Sequence, residues 1–166
     1  MKSNKEKIAF VIAILIIVGM ISMVVAGVIL IKKYVFINKN FITAKQFITM
    51  MEKEEFETEK IDTSEIDGEF DIKEAYRAEN EDYGFEFYTF NNVSDAEDFY
   101  NYYQMKFDAN SSSKRFNISG GNYSTFTIVS GGKYRLVERI EETVLIVEAK
   151  SSNEKQIKKV LDVLGY

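Results

Sequence analysis

The chain has no cysteine and no histidine among its 166 residues, and no proline or tryptophan. Without cysteine there is no disulfide framework, no thiol nucleophile and no lipid-anchored cysteine. With histidine missing too, a tight zinc or copper site is not expected, because those metals prefer nitrogen and sulfur ligands. Only hard-cation sites remain. Arginine is scarce, with lysine ahead 17 to 4. With its abundant Ile, Asn, Tyr and Phe, this bias matches an AT-rich coding sequence. It lowers what any single aromatic or Asn can signify.

Charge is missing from one long run. Residues 8–31 read IAFVIAILIIVGMISMVVAGVILI, 24 residues without an ionisable side chain. As a helix they would span roughly 36 Å, enough for a hydrocarbon core of about 30 Å. An amphipathic core helix would show a polar face, and this stretch has none. The reading is a transmembrane helix. Lys2, Lys5 and Lys7 before it give the start the shape of a secretory signal, with Val24-Val25-Ala26 as a small-residue cleavage site. The apolar run nevertheless continues to Ile31, past the roughly 7–15 residues of a signal peptide, so an uncleaved signal anchor is expected. Lys32, Lys33, Lys39 and Lys45 nearly balance the lysines on the other side. The signal-like order favours the N-terminus inside and the domain outside the cytoplasm. The expected organisation is a cytoplasmic tail (1–7), a transmembrane helix (8–31), a juxtamembrane linker (32–42) and a soluble α+β domain (43–166). Ala9-x-x-x-Ala13 and Ser22-x-x-x-Ala26 would let two such helices approach closely.

Beyond residue 33 the chain holds 16 basic and 25 acidic residues. Such a domain is repelled by phosphate backbones, so nucleic acid is not an expected partner. Thr43-Ala44-Lys45-Gln46 is a capping box, with Ile42 and Phe47 placed as a hydrophobic staple. Ala44, Phe47, Ile48 and Met51 follow on one face, predicting a helix over 43–55. FETEKI is a candidate short strand. Residues 72–79 and 84–90 form a hairpin about Asp82-Tyr83-Gly84. Ser94-Asp95-Ala96-Glu97 opens a helix over 94–108 with an Ala96, Phe99, Tyr100, Tyr103, Phe107 stripe. Residues 109–122 have loop composition, and a loop that long is mobile or functional. Residues 123–130 and 133–140 flank Gly131-Gly132, which can supply positive φ twice. TVLIVEA at 143–149 is the most apolar strand and the expected centre of the sheet. Ser152 or Asn153 caps a last helix with Ile157, Val160, Leu161 and Leu164 on one face and Gly165 at its C-cap. The expected fold is an antiparallel sheet of about five strands with three helices on one face.

Lys73 to Phe90, the helix after Ser94, Tyr134 to Ala149 and the terminal Leu164-Gly165-Tyr166 together carry a resemblance. The chain resembles short membrane-anchored proteins, without assigned function, of low-GC Gram-positive bacteria. The resemblance implies a compact α+β fold and supplies no catalytic residue.

Segment 52–82 holds fourteen acidic and four basic residues. Asp62, Glu65, Asp67, Glu69 and Asp71 miss the EF-hand spacing because Gly68 falls at the wrong offset. Ser111-Ser112-Ser113-Lys114 and Ser152-Asn153-Glu154-Lys155 match S-x-x-K, but the companion motifs of penicillin-recognising enzymes are absent. N-x-[ST] occurs at Asn92, Asn110, Asn117 and Asn122, as expected by chance in so Asn- and Ser-rich a chain. Tyr100 and Tyr103 read as core and Tyr102 as exposed, rather than as a stacking platform. No catalytic, cofactor or metal residue is singled out. The expected function is a non-enzymatic binding or interaction module, tethered to the bilayer through 8–31 on the outer face of the cell membrane. Its partner would be an envelope or membrane protein. The alternative is an accessory or regulatory subunit acting through the transmembrane helix. Glu65, Asp67, Glu69 and Asp71 are the expected partner-docking residues.

Overall fold

The computed structural model describes residues 38–66, 70–109 and 114–166, and the single helical residue Ser22. The chain divides into two compact units between Ile37 and Asn38, and the fold below is that of the second.

Helix α1 (Ala44–Lys53) starts where the capping box places it. The Thr43 hydroxyl accepts from Gln46 N–H, and the Gln46 side chain accepts from Thr43 N–H at 2.8 Å. Strands β1 (Glu57–Lys60), β2 (Ile72–Glu79) and β3 (Gly84–Phe90) form a meander. Helix α2 (Val93–Asp108) is capped by Asn92, whose side chain accepts from Asp95 N–H, rather than by Ser94. Asn at this position competes well with Ser, and it also donates to the Asp95 carboxylate at 2.7 Å. Four strands follow: β4 (Lys114–Ser119), β5 (Tyr123–Ser130), β6 (Lys133–Ile140) and β7 (Thr143–Lys150). Helix α3 (Glu154–Leu164) closes the fold. Gly165 takes the left-handed C-cap at φ 83°, and Gly131 and Gly132 take φ 56° and 76° in their turn.

All seven strands join one antiparallel sheet in the order β1-β2-β3-β7-β6-β5-β4, with β7 central as its apolar run implies. The expectation of about five strands is therefore corrected to seven. The strands beyond those five are β1, the candidate strand in FETEKI, and β4, which takes up six residues of the expected loop at 109–122. The helices are not on one face. Phe47, Met51, Ile157, Leu161 and Leu164 of α1 and α3 pack on Phe85, Phe87, Leu136, Leu145 and Val147. Ala96, Phe99, Tyr100 and Phe107 of α2 pack on the opposite face, over Tyr88, Phe90, Val137, Val144 and Ile146. Val144 to Val147 are buried at every position because the sheet is covered on both sides.

The single-pass, signal-anchored membrane assignment and the extracytoplasmic location are corrected as well. Among the described residues no helix is long and apolar enough to cross a membrane. The segment on which that assignment rested, 8–31, lies outside the described residues apart from Ser22.

The domain begins with a docked strap, residues 38–42. The Asn122 side chain accepts from Lys39 N–H at 3.0 Å, donates to Lys39 C=O at 2.8 Å and donates to Glu141 Oε1 at 2.9 Å. Lys39 Nζ reaches under the strap to Glu138 on β6, whose side chain is 2% exposed. Burial pushes the Glu138 carboxyl up, and the hydrogen bond and charge of Lys39 oppose that rise.

Candidate functional site

Helix α2 covers β5, β6, β7 and the Tyr88–Phe90 end of β3 but leaves the outer part of the sheet open beside its C-terminal half. One row of cross-strand neighbours shows why. Glu59, Arg77, Glu86 and Ile146 lie opposite one another in turn across β1, β2, β3 and β7, and Val137 and Phe126 continue the row. The row is apolar beneath the helix and charged beyond it. The change of chemistry opens a groove with Tyr103, Lys106 and Phe107 as one wall and Arg77, Glu79, Glu86 and Glu148 on its floor, with a volume of about 400 Å³. A second hollow of about 330 Å³ continues it past Tyr88 toward Ile61 and Asp62.

Most of the charge on the floor is already paired. Arg77 donates to Glu86 at 2.9 Å and to Glu59 at 3.2 Å. The Tyr88 hydroxyl donates to the other oxygen of Glu86 at 2.7 Å. The hydrogen bond to Glu86 raises the Arg77 guanidinium further, against a smaller opposing effect of burial. Burial, then the neighbouring Glu86 charge, pushes the Tyr88 phenol up. Burial of Glu148 favours its neutral form, but bonds from Lys133 and Arg135 outweigh that and hold it low.

Two charges at the groove belong to none of these ion pairs. Lys106 makes no ion pair among the described residues; its ammonium lies 5.1 Å from the Tyr103 ring centroid and 5.7 Å from that of Tyr102. Such contacts fix the position of a cation without neutralising it. Glu79, on the floor, also makes no ion pair among the described residues, and it is exposed.

Of the expected docking acids, the structure describes Asp71 and the backbone of Glu65. Asp71 is exposed and accepts from Asn91 Nδ2 at 3.0 Å. Glu65 ends a 3-10 turn at Thr63–Glu65. Asp67 and Glu69 lie outside the described residues. Among the described residues, no cluster of three or more acidic side chains could hold a metal ion. Lys114 of the first S-x-x-K motif begins β4, whereas Ser111 lies outside the described residues. Tyr100 is core, while Tyr102 and Tyr103 are half-buried beside the groove. Arg77 and Glu86 are not singled out by composition, yet the hairpin turn held their signal: pairing Glu79 with Gly84 sets Arg77 opposite Glu86.

No protein-family model matches the chain, and no curated protein matches it. A crystal structure of a GTP-binding regulator from Thermotoga maritima is similar to it, at a TM-score of 0.48 and 19% identity, over 75% of this chain and 88% of that one. So distant a likeness carries no argument about function.

Proposed function

We propose that the domain is a non-enzymatic binding or interaction module that takes an extended protein segment in the groove beside α2. The observation that supports this is the pair of oppositely charged groups outside those ion pairs, Lys106 on the wall and Glu79 on the floor, lining one pre-paired polar groove. A segment carrying both signs of charge within a few residues could satisfy the two together. The apolar edges of Phe107 and Ile146 would shelter its side chains from water. The paired Glu59–Arg77–Glu86 row then acts as a rigid base, so little side-chain order is lost on binding.

Photo-crosslinking in cells tests this. Met105, next to Lys106, is 72% exposed, and Val163 on α3 is 48% exposed, so a photoreactive residue at either place should leave the core intact. Adducts are expected from position 105 and not from 163. Lys106→Glu should weaken them strongly. Equal capture from both positions, or adducts indifferent to Lys106→Glu, would exclude the groove as the binding surface.

A further inference from the structure

The two edges of the sheet are not alike. Edge β1 is four residues long and reads Glu-Thr-Glu-Lys. Edge β4 reads Lys-Arg-Phe-Asn-Ile-Ser, and all six of its residues are exposed. Phe116 and Ile118, 59% and 56% exposed, stand on the same face of β4. An exposed edge with apolar side chains and no acid invites a further strand.

The open side of β4 can be identified. Gly120 N–H donates to Tyr123 C=O at 2.9 Å, so Gly120 points its main chain at β5. By alternation Ile118, Phe116 and Lys114 do the same, leaving the N–H and C=O groups of Arg115, Asn117 and Ser119 directed outward.

We propose that β4 pairs antiparallel with β4 of a second copy of this chain about a two-fold axis at Asn117. In that register Asn117 bonds Asn117 of the other copy, and Arg115 stands opposite Ser119 at each end. Phe116 faces Ile118 in a non-hydrogen-bonded pair, where side chains come closest. Lys114 meets Gly120, so no like charges are opposed. Edge β1 does not allow this. Its two-fold registers set Glu57 or Glu59 against Glu57 or Glu59 of the other copy, or Lys60 against Lys60, and like charges directly opposite destabilise a pair. The occupant of the β4 edge is therefore a second β4, joined in a closed isologous contact.

The absence of cysteine makes the test direct. In the full chain carrying Asn117→Cys, mild oxidation should give a covalent dimer, because the paired Cα atoms would lie about 5.5 Å apart, within disulfide reach. Thr58→Cys, on β1, should remain uncrosslinked. Adding Phe116→Lys and Ile118→Lys to Asn117→Cys should abolish the dimer without changing the melting of the domain. A monomeric Asn117→Cys chain would overturn the proposal, as would a dimer that survives the two lysines. A mixed product between the Thr58→Cys and Asn117→Cys chains would show head-to-tail contacts instead. Capture of a different protein by Cys at 117 would show that the edge receives a foreign strand.

Discussion

Two charge clusters lie on opposite faces of the same sheet. On the α1/α3 face, Lys39 and the buried Glu138 pair beneath the strap. On the α2 face, Glu59, Arg77 and Glu86 pair along the groove with side chains 29–61% exposed. Water decides what each is worth. A carboxylate removed from water depends on its partner, and loss of that partner strands the charge. A pair that water still reaches loses little when one member goes, because solvent replaces it. The first cluster is a fastening and the second is a surface.

The sharpest way to break this contrast is Lys39→Met. It leaves Glu138 without its cation and should destabilise the domain by about 3 kcal/mol, the lower end for a broken buried pair because Lys39 is 24% exposed. The melting temperature of the full chain should fall by roughly 10 °C. A shift no larger than that of a surface substitution would mean that Glu138 is not held by Lys39. Adding Glu138→Leu should restore most of the loss, since removing both members leaves no stranded charge.

Acid titration sharpens the comparison, because the two faces respond with opposite sign. The Glu138 carboxyl lies above its ordinary value of 4.5, so the folded state holds that proton more tightly than the unfolded chain. Its contribution is complete below pH 4.5 and is lost as pH rises through the raised value. Glu148 beside the groove lies below 4.5, so its contribution is present above that pH and is lost as pH falls through the lowered value. In Glu138→Gln the decline in melting temperature above pH 4.5 should become flatter. An unchanged profile would show that this carboxyl does not titrate with folding.

Legibility in the sequence followed the same division. The hairpin from Ile72 to Phe90 and the caps at Thr43 and Gly165 were readable because their signals are local. Strand β4 was not. Its side chains are exposed on both faces, so no apolar period marks it, and its order comes from the ladder with β5. The two-sided covering of the sheet was written in Val144-Leu145-Ile146-Val147, since a strand apolar at every position needs a layer on each face. The Lys39–Glu138 pair joins residues 99 apart and left no local trace. Of the candidate site, Arg77 and Glu86 followed from the hairpin register. Lys106 became notable only once α2 was placed beside them.

Arg77→Met is the matching test on the exposed face. Its two pairs are half in water, so the stability cost should be about 0.5–1 kcal/mol, well below that of Lys39→Met. Removing the guanidinium nevertheless deprives Glu59 and Glu86 of their shared cation and makes the groove more negative. Capture of a segment from position 105 should therefore fall while melting hardly moves. A loss of stability equal to that of Lys39→Met would erase the distinction between the two clusters.

The smallest expected effect lies in the acidic stretch that borders the groove. Asp62 lines its outer end, and Asp71 is exposed with Asn91 as its hydrogen-bond partner. We propose that Glu65, Asp67, Glu69 and Asp71 act on an approaching partner through their summed field. At physiological salt that field reaches roughly 8 Å, so it acts late in the encounter. Charges at a rim change the on-rate and its salt dependence more than they change the bound state. Replacing the four by Gln and Asn should shift stability by less than about 0.5 kcal/mol, as for surface substitutions elsewhere. Association with a basic partner taken up in the groove should become slower and less sensitive to salt, as followed by stopped-flow between low and physiological ionic strength. Unaltered association kinetics in the four-site variant would confine recognition to the groove itself, with Lys106 and Glu79 as its charged contacts.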